Sequence, residues 1–193
     1  MKHRPLLAVA DWAHPSWLEE AAPARTERSR AEAASRLFAR FPQLPHAGTT
    51  ELPWFAAPLA RPACARLMRL CAALACACSL RVVVCAVART QFSRTTGLPW
   101  LTALQCHPRG ERDDLPLDAP LDFFDRHALT AAGLAFALRA TAGAAQRQWM
   151  QLRLPRDCAE AAKRWRLPDI APHTALELVG DALQLLHARR TPC

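Results

Sequence analysis

Residues 63–87 read ACARLMRLCAALACACSLRVVVCAV and carry five of the eight cysteines in a chain of 193 residues. Four of them, Cys64, Cys71, Cys78 and Cys85, recur every seven residues. On a helix this spacing keeps them near one face, drifting about 20° per step and separated by about 10.5 Å. A zinc ion holds its sulfurs at about 2.3 Å, so a row of this pitch does not close around one ion. Cys76 and Cys78 lie two apart, which points them to opposite sides of a helix, and the chain contains no CxxC pair. Cysteine here reads as a small buried hydrophobe, interchangeable with the alanines beside it and lining a seam where helices approach closely. The stretch predicts two packed helices, over residues 62–78 and 80–90, broken near Ser79.

The same stretch is the one segment that approaches a membrane span. Leu70 to Ala88 is long enough, but Arg81 sits near its centre. An arginine there costs roughly 2.5–3.5 kcal/mol on insertion, and alanine and cysteine offset little of it. At the N-terminus the apolar run Leu6 to Ala10 ends at Asp11, shorter than the apolar core of about 7–15 residues in a secretory signal. The expectation is a cytoplasmic protein with reduced cysteines.

Composition sets the fold class. Half the residues are hydrophobic, glycine is scarce, tyrosine is absent and sixteen prolines divide the chain. This predicts a mainly α protein, a compact single-domain arrangement of short helices with at most one or two short strands. The domain spans 1–193, with an N-terminal lobe over 1–106, an acidic loop over 107–120 and a C-terminal lobe over 121–190. Thr26 is placed to cap a helix carrying Ala34, Leu37, Phe38 and Phe41, which Pro42 stops. Residues 42–62 hold five prolines and read as an irregular arm in which Leu52, Trp54, Phe55 and Leu59 pack. Asp122 is expected to cap a core helix with Phe124 on its apolar stripe and Gly143 at its end. Trp149 to Pro155 alternates apolar and polar residues and predicts a short strand. Asp157 and Glu160 form the pattern of a capping box, and a last helix runs from Pro172 through Leu176, Val179, Leu183 and Leu186 to Arg190.

The net charge of +8 is carried by 23 arginines and 2 lysines scattered among acids. There is no dense basic run and no aromatic RNA-binding motif, so direct nucleic-acid binding is not expected. There is also no phosphate-binding glycine loop, no GxSxG and no HExxH. The seven histidines are dispersed. His127 reads as a structural residue in the first turns of a core helix, and His14 stands between Trp12 and Trp17 with no acid or nucleophile spaced to work with it. No catalytic, cofactor-binding or metal-binding residues are expected, and the chain does not read as an enzyme. Glu111, Asp113, Asp114 and Asp118 lie in a breaker-rich segment that reads as a mobile acidic loop, without the spaced oxygens and central glycine of a calcium site.

Across Asp11-WAHPSW-Leu18, a proline-punctuated arm with Leu52-Pro53-Trp54, a Cys/Leu-rich middle, Gly133-LA-Phe136 and Arg153-Leu154-Pro155, the chain resembles the SctK family. These are the YscK/PscK/OrgA-type accessory proteins of bacterial type III secretion sorting platforms. The resemblance implies a helical cytoplasmic adaptor without cofactor or catalytic activity, held at the cytoplasmic face of the inner membrane through its partners. Those partners would be the forkhead-associated domain of the ring protein SctD and the pod protein SctQ. An adaptor needs two surfaces on one rigid body. The candidate partner-binding residues are Trp12, His14 and Trp17, as aromatic anchors or as core, and Asp113 and Asp114 through charge complementarity. The competing reading is a small basic helical nucleic-acid-binding regulator.

Overall fold

The computed structural model describes residues 9–18, 26–44, 59–97, 104, 107–117, 121–167 and 169–188. Its helices are α1 (Glu27–Arg40), α2 (Arg61–Ala75), α3 (Ala77–Arg81), α4 (Ala86–Thr96), α5 (Arg126–Arg139), α6 (Ala144–Arg153), α7 (Arg156–Ala162) and α8 (Pro172–Ala188). No strand occurs among the described residues, so the mainly α expectation holds.

The cysteine-rich stretch is three helices rather than two. Pro62 lies in the first turn of α2, and Cys64, Leu67, Met68 and every residue from Leu70 to Ala75 are buried. A helix apolar on all sides belongs in the middle of a protein, and α2 packs against both α5 and α8. The chain breaks at Cys76 (φ −116°, ψ 32°), three residues before Ser79. It breaks again after Arg81, where residues 83–85 are extended ahead of α4. The seam is therefore shorter than the seven-residue spacing suggests: Cys64, Cys71 and Cys76 are buried, but Cys78 and Cys85 are exposed.

The α2–α5 crossing depends on a missing side chain. A Cβ on Gly133 would lie 1.8 Å from the Met68 carbonyl oxygen, so the two backbones touch at that point. Leu129 to Ala137 of α5 are buried around this contact. Its cap is Asp125, whose carboxylate accepts the His127 N–H at 2.8 Å. Asp122 instead holds the preceding turn through the Phe124 N–H, which leaves Phe124 outside the helix and partly exposed. Gly143 opens α6 rather than ending α5.

The predicted strand at Trp149 to Pro155 is the last part of helix α6, with Trp149, Met150 and Leu152 buried on one face. A strand would need a paired neighbour for each backbone group, whereas a helix leaves only its ends unsatisfied. Those ends are met by the N-terminal segment. The His14 N–H donates to the Leu152 carbonyl at 2.7 Å, and the Trp17 indole donates to the Leu154 carbonyl at 2.8 Å. Ser16 Oγ accepts the Arg156 N–H at the start of α7. The expected Asp157–Glu160 capping box is absent, because Glu160 pairs with Arg156 at 2.9 Å.

The acidic loop is not mobile over its described part. Asp114 accepts the Cys78 N–H at 3.0 Å and the Ser79 N–H at 3.2 Å, capping α3 from outside the helix. Leu115 donates to the Ala75 carbonyl at the break. Arg81 reaches back to the Gly110 carbonyl at 2.7 Å, and Arg109, 7% exposed, pairs with Asp181 of α8 at 2.6 Å. The α1 cap is the expected Thr26, in a reciprocal arrangement with Ser29. In α8 the buried stripe is Ala175, Leu178, Val179, Ala182 and Leu186, displaced from the predicted one so that Leu176 is exposed.

Two glycines set opposite expectations. Gly133→Ala drives a Cβ into a backbone carbonyl that cannot rotate away, and should cost about 3 kcal/mol. Gly180 of α8 has nothing within 4 Å of the corresponding position, so Gly180→Ala should gain about 0.5–1 kcal/mol from helix propensity. Urea denaturation of both variants, followed by circular dichroism, checks the sign of each.

Candidate functional site

The N-terminal aromatic residues are structural. Trp17 is buried, and its ring meets Phe41 edge-on at 5.5 Å between centroids. The Trp12 indole donates to the Trp149 carbonyl at 2.8 Å, and the Arg153 guanidinium stacks 4.1 Å from the Trp12 ring centroid. Arg153 also donates to the carbonyls of Trp12 at 3.0 Å and Leu59 at 2.5 Å, tying three segments together. His14 caps the 3-10 turn Pro15–Trp17, its Nδ1 accepting the Ser16 N–H. Burial, and then the Arg61 charge, hold its pKa below the ordinary value despite Asp157. A neutral ring keeps Nδ1 available as an acceptor, which is what the cap requires.

The two candidate aspartates separate in role. Asp114 is bound into the α3 cap, whereas Asp113 is exposed. Beside them lies a surface not expected from the sequence. Val82, Val84 and Val87 are 76%, 79% and 73% exposed, forming an apolar ridge across the α3–α4 turn. Arg81 borders it with Glu111 3.9 Å away, and Arg89 braces the turn by donating to the Val83 carbonyl at 2.9 Å. The available signal was the run Val82-Val83-Val84: β-branched residues lose rotamer freedom in a helix, so three in succession mark a poor helix interior. Single exposed apolar residues are ordinary, but a cluster of this kind marks a contact surface.

Cys85 stands on the ridge as the residue before α4. Backbone N–H groups of Ala88 and Val87 lower its thiol pKa. The buried thiols go the other way: burial pushes Cys64 and Cys76 up to about 12 and Cys158 to about 11, and raises Cys71 as well.

Two further features complete the surface. An open depression of about 540 Å³ lies between the end of α5 and the start of α8, lined by Leu138, Arg139, Arg147, Lys163 and Trp165 with no carboxylate among its described residues. Arg139 and Arg147 already donate to the carbonyls of Ile170 and Thr141 there. At the opposite end of α5, the ligand atoms of His127, Asp157 and Cys158 lie within 4.8 Å of one another. His127 is thus part of a cluster, half-exposed rather than set in the core. Sequence reading missed it because its members are thirty residues apart.

No helix among the described residues is long and apolar enough to cross a membrane. Comparisons with family models, curated proteins and solved structures find no match to this chain.

Two outcomes follow from the thiols. Under iodoacetamide at neutral pH, peptide mapping should find Cys85 labelled ahead of Cys64, Cys71, Cys76 and Cys158, which should react only after unfolding. Because the buried thiols bind their protons more tightly when folded, their contribution is complete below the unfolded pKa of 9.0 and falls as pH rises toward about 12. Arg69, lowered to about 10 by burial and the Arg126 and Arg66 charges, opposes this only above that pH. Urea midpoints measured between pH 7 and 10 should therefore decline beyond about pH 9.

Proposed function

We propose that this chain is a non-enzymatic adaptor of a bacterial type III secretion sorting platform, linking the cytoplasmic domain of the ring protein SctD to the pod protein SctQ. The observation that carries the adaptor reading is the Val82, Val84, Val87 ridge, an exposed apolar centre bordered by the Arg81–Glu111 pair. An apolar core with a charged rim is the usual anatomy of a protein interface. The ridge is held by a helix cap and two arginine–carbonyl bonds, so it is preorganised and binding costs little ordering.

The assignment to this particular platform rests on the sequence resemblance to the SctK family. Under it the protein works at the cytoplasmic face of the inner membrane, brought there by its partners. Asp113, exposed beside the capping Asp114, is the remaining candidate for the charged part of the contact. Trp12, His14 and Trp17 support the body that presents it, since their polar atoms are satisfied within the chain.

The test uses the full chain, the forkhead-associated domain of an SctD protein and an SctQ protein from the same genome. The wild-type chain should capture both, and replacing Val82, Val84 and Val87 with Ser should weaken capture of one by at least about tenfold while circular dichroism stays unchanged. Asp113→Arg is the informative charge reversal, because Asp114→Arg would also break the α3 cap. Failure of the wild-type chain to bind either protein defeats the platform assignment. Retained binding by the serine variant removes the ridge from it.

A further inference from the structure

The first turns of α5 and α7 meet at one corner of the molecule. His127, on α5, has Nε2 3.5 Å from Asp157 Oδ2 on α7, and Cys158 follows Asp157 directly. All three ligand atoms fall within 4.8 Å of each other. In a tetrahedral site with bonds of about 2.0–2.3 Å, donor atoms stand roughly 3.3–3.8 Å apart, so small side-chain rotations close the set. Imidazole nitrogen, carboxylate oxygen and thiolate sulfur together suit a borderline-soft divalent ion.

We propose that His127, Asp157 and Cys158 form a binding site for a divalent transition-metal ion, with zinc the best fit. Cys158 is 5% exposed and forms the floor, while Asp157 and His127 stand at the rim. Three protein ligands leave a fourth position open to water. The site stands independently of the adaptor reading.

The surrounding charges set its character. Asp125 and Asp157 both act on the Cys158 thiol in the sense that disfavours a bare thiolate, with Arg69 opposing them. A dication supplies the missing positive charge, and the thiol gives up its proton to solvent when the metal–sulfur bond forms. Arg69 itself lies near Arg126 and donates to Thr130, so it lowers the affinity without occupying a ligand position. The bound ion would join the first turn of α5 to the first turn of α7, two helices that already pack together.

Cobalt(II) is the probe. Titrating the reduced full chain should produce the visible bands of tetrahedral cobalt and a near-ultraviolet sulfur-to-cobalt charge-transfer band, saturating at one equivalent and abolished by zinc. Cys158→Ser should remove the charge-transfer band, and His127→Ala and the surface change Asp157→Asn should each weaken binding by more than about tenfold. The double variant Cys78→Ser/Cys85→Ser should bind as wild type. If Cys158→Ser does not fold, the His127 and Asp157 variants decide the matter. Absence of the bands in the wild type overturns the site. So does a spectrum that survives the site variants or disappears in the Cys78/Cys85 double variant.

Discussion

Gly133 lies against the Met68 carbonyl so closely that a Cβ there would stand 1.8 Å from the oxygen. The approach brings α2 onto α5 with almost no space for side chains, and alanines and cysteines fill what remains. With its axis drawn in this far, α2 is enclosed by α5 on one side and α8 on another, and its residues from Leu70 to Ala75 leave solvent entirely. Close packing of this kind transmits position rigidly. The start of α5, with His127, and the turn after α3, with its valines, are both placed by the crossing.

A helix buried on all sides must end inside protein, and its last carbonyls need partners there. Segment 107–117 supplies them. Leu115 donates to Ala75, Asp114 caps the new helix at Cys78 and Ser79, and Arg109 anchors the segment to Asp181. A run that reads as acidic and solvated is thereby part of the framework, and the charge pair at Arg109 is costly to break because it is desolvated. The N-terminal segment does the same for α6 and α7, through two backbone carbonyls and one N–H.

Polar satisfaction also sorts the surface. Trp12 and Trp17 look like interface anchors in the sequence, yet their indole N–H groups and ring faces are all engaged within the chain. What stays outward is the valine ridge, where the chain turns too sharply between two short helices to fold its side chains inward. The contact surface is therefore defined by what the framework leaves over.

Composition and local pattern determined the helical class, the Thr26 cap, the buried face of α1 and the burial of the first cysteines, because propensity, capping and apolar density act over a few residues. Periodicity misled at Trp149 to Pro155, where an alternating pattern lies on a helix whose end is capped from 137 residues away. It also misled at Cys78 and Cys85, where the spacing continues but the helix does not. Which carboxylate caps which helix, which tryptophans are internal, and that His127 meets Asp157 and Cys158 were decided only by the tertiary structure. Each depends on two segments distant in sequence being brought within a hydrogen bond of one another, and the Gly133–Met68 crossing that brings α2 and α5 together is a contact between backbones 65 residues apart.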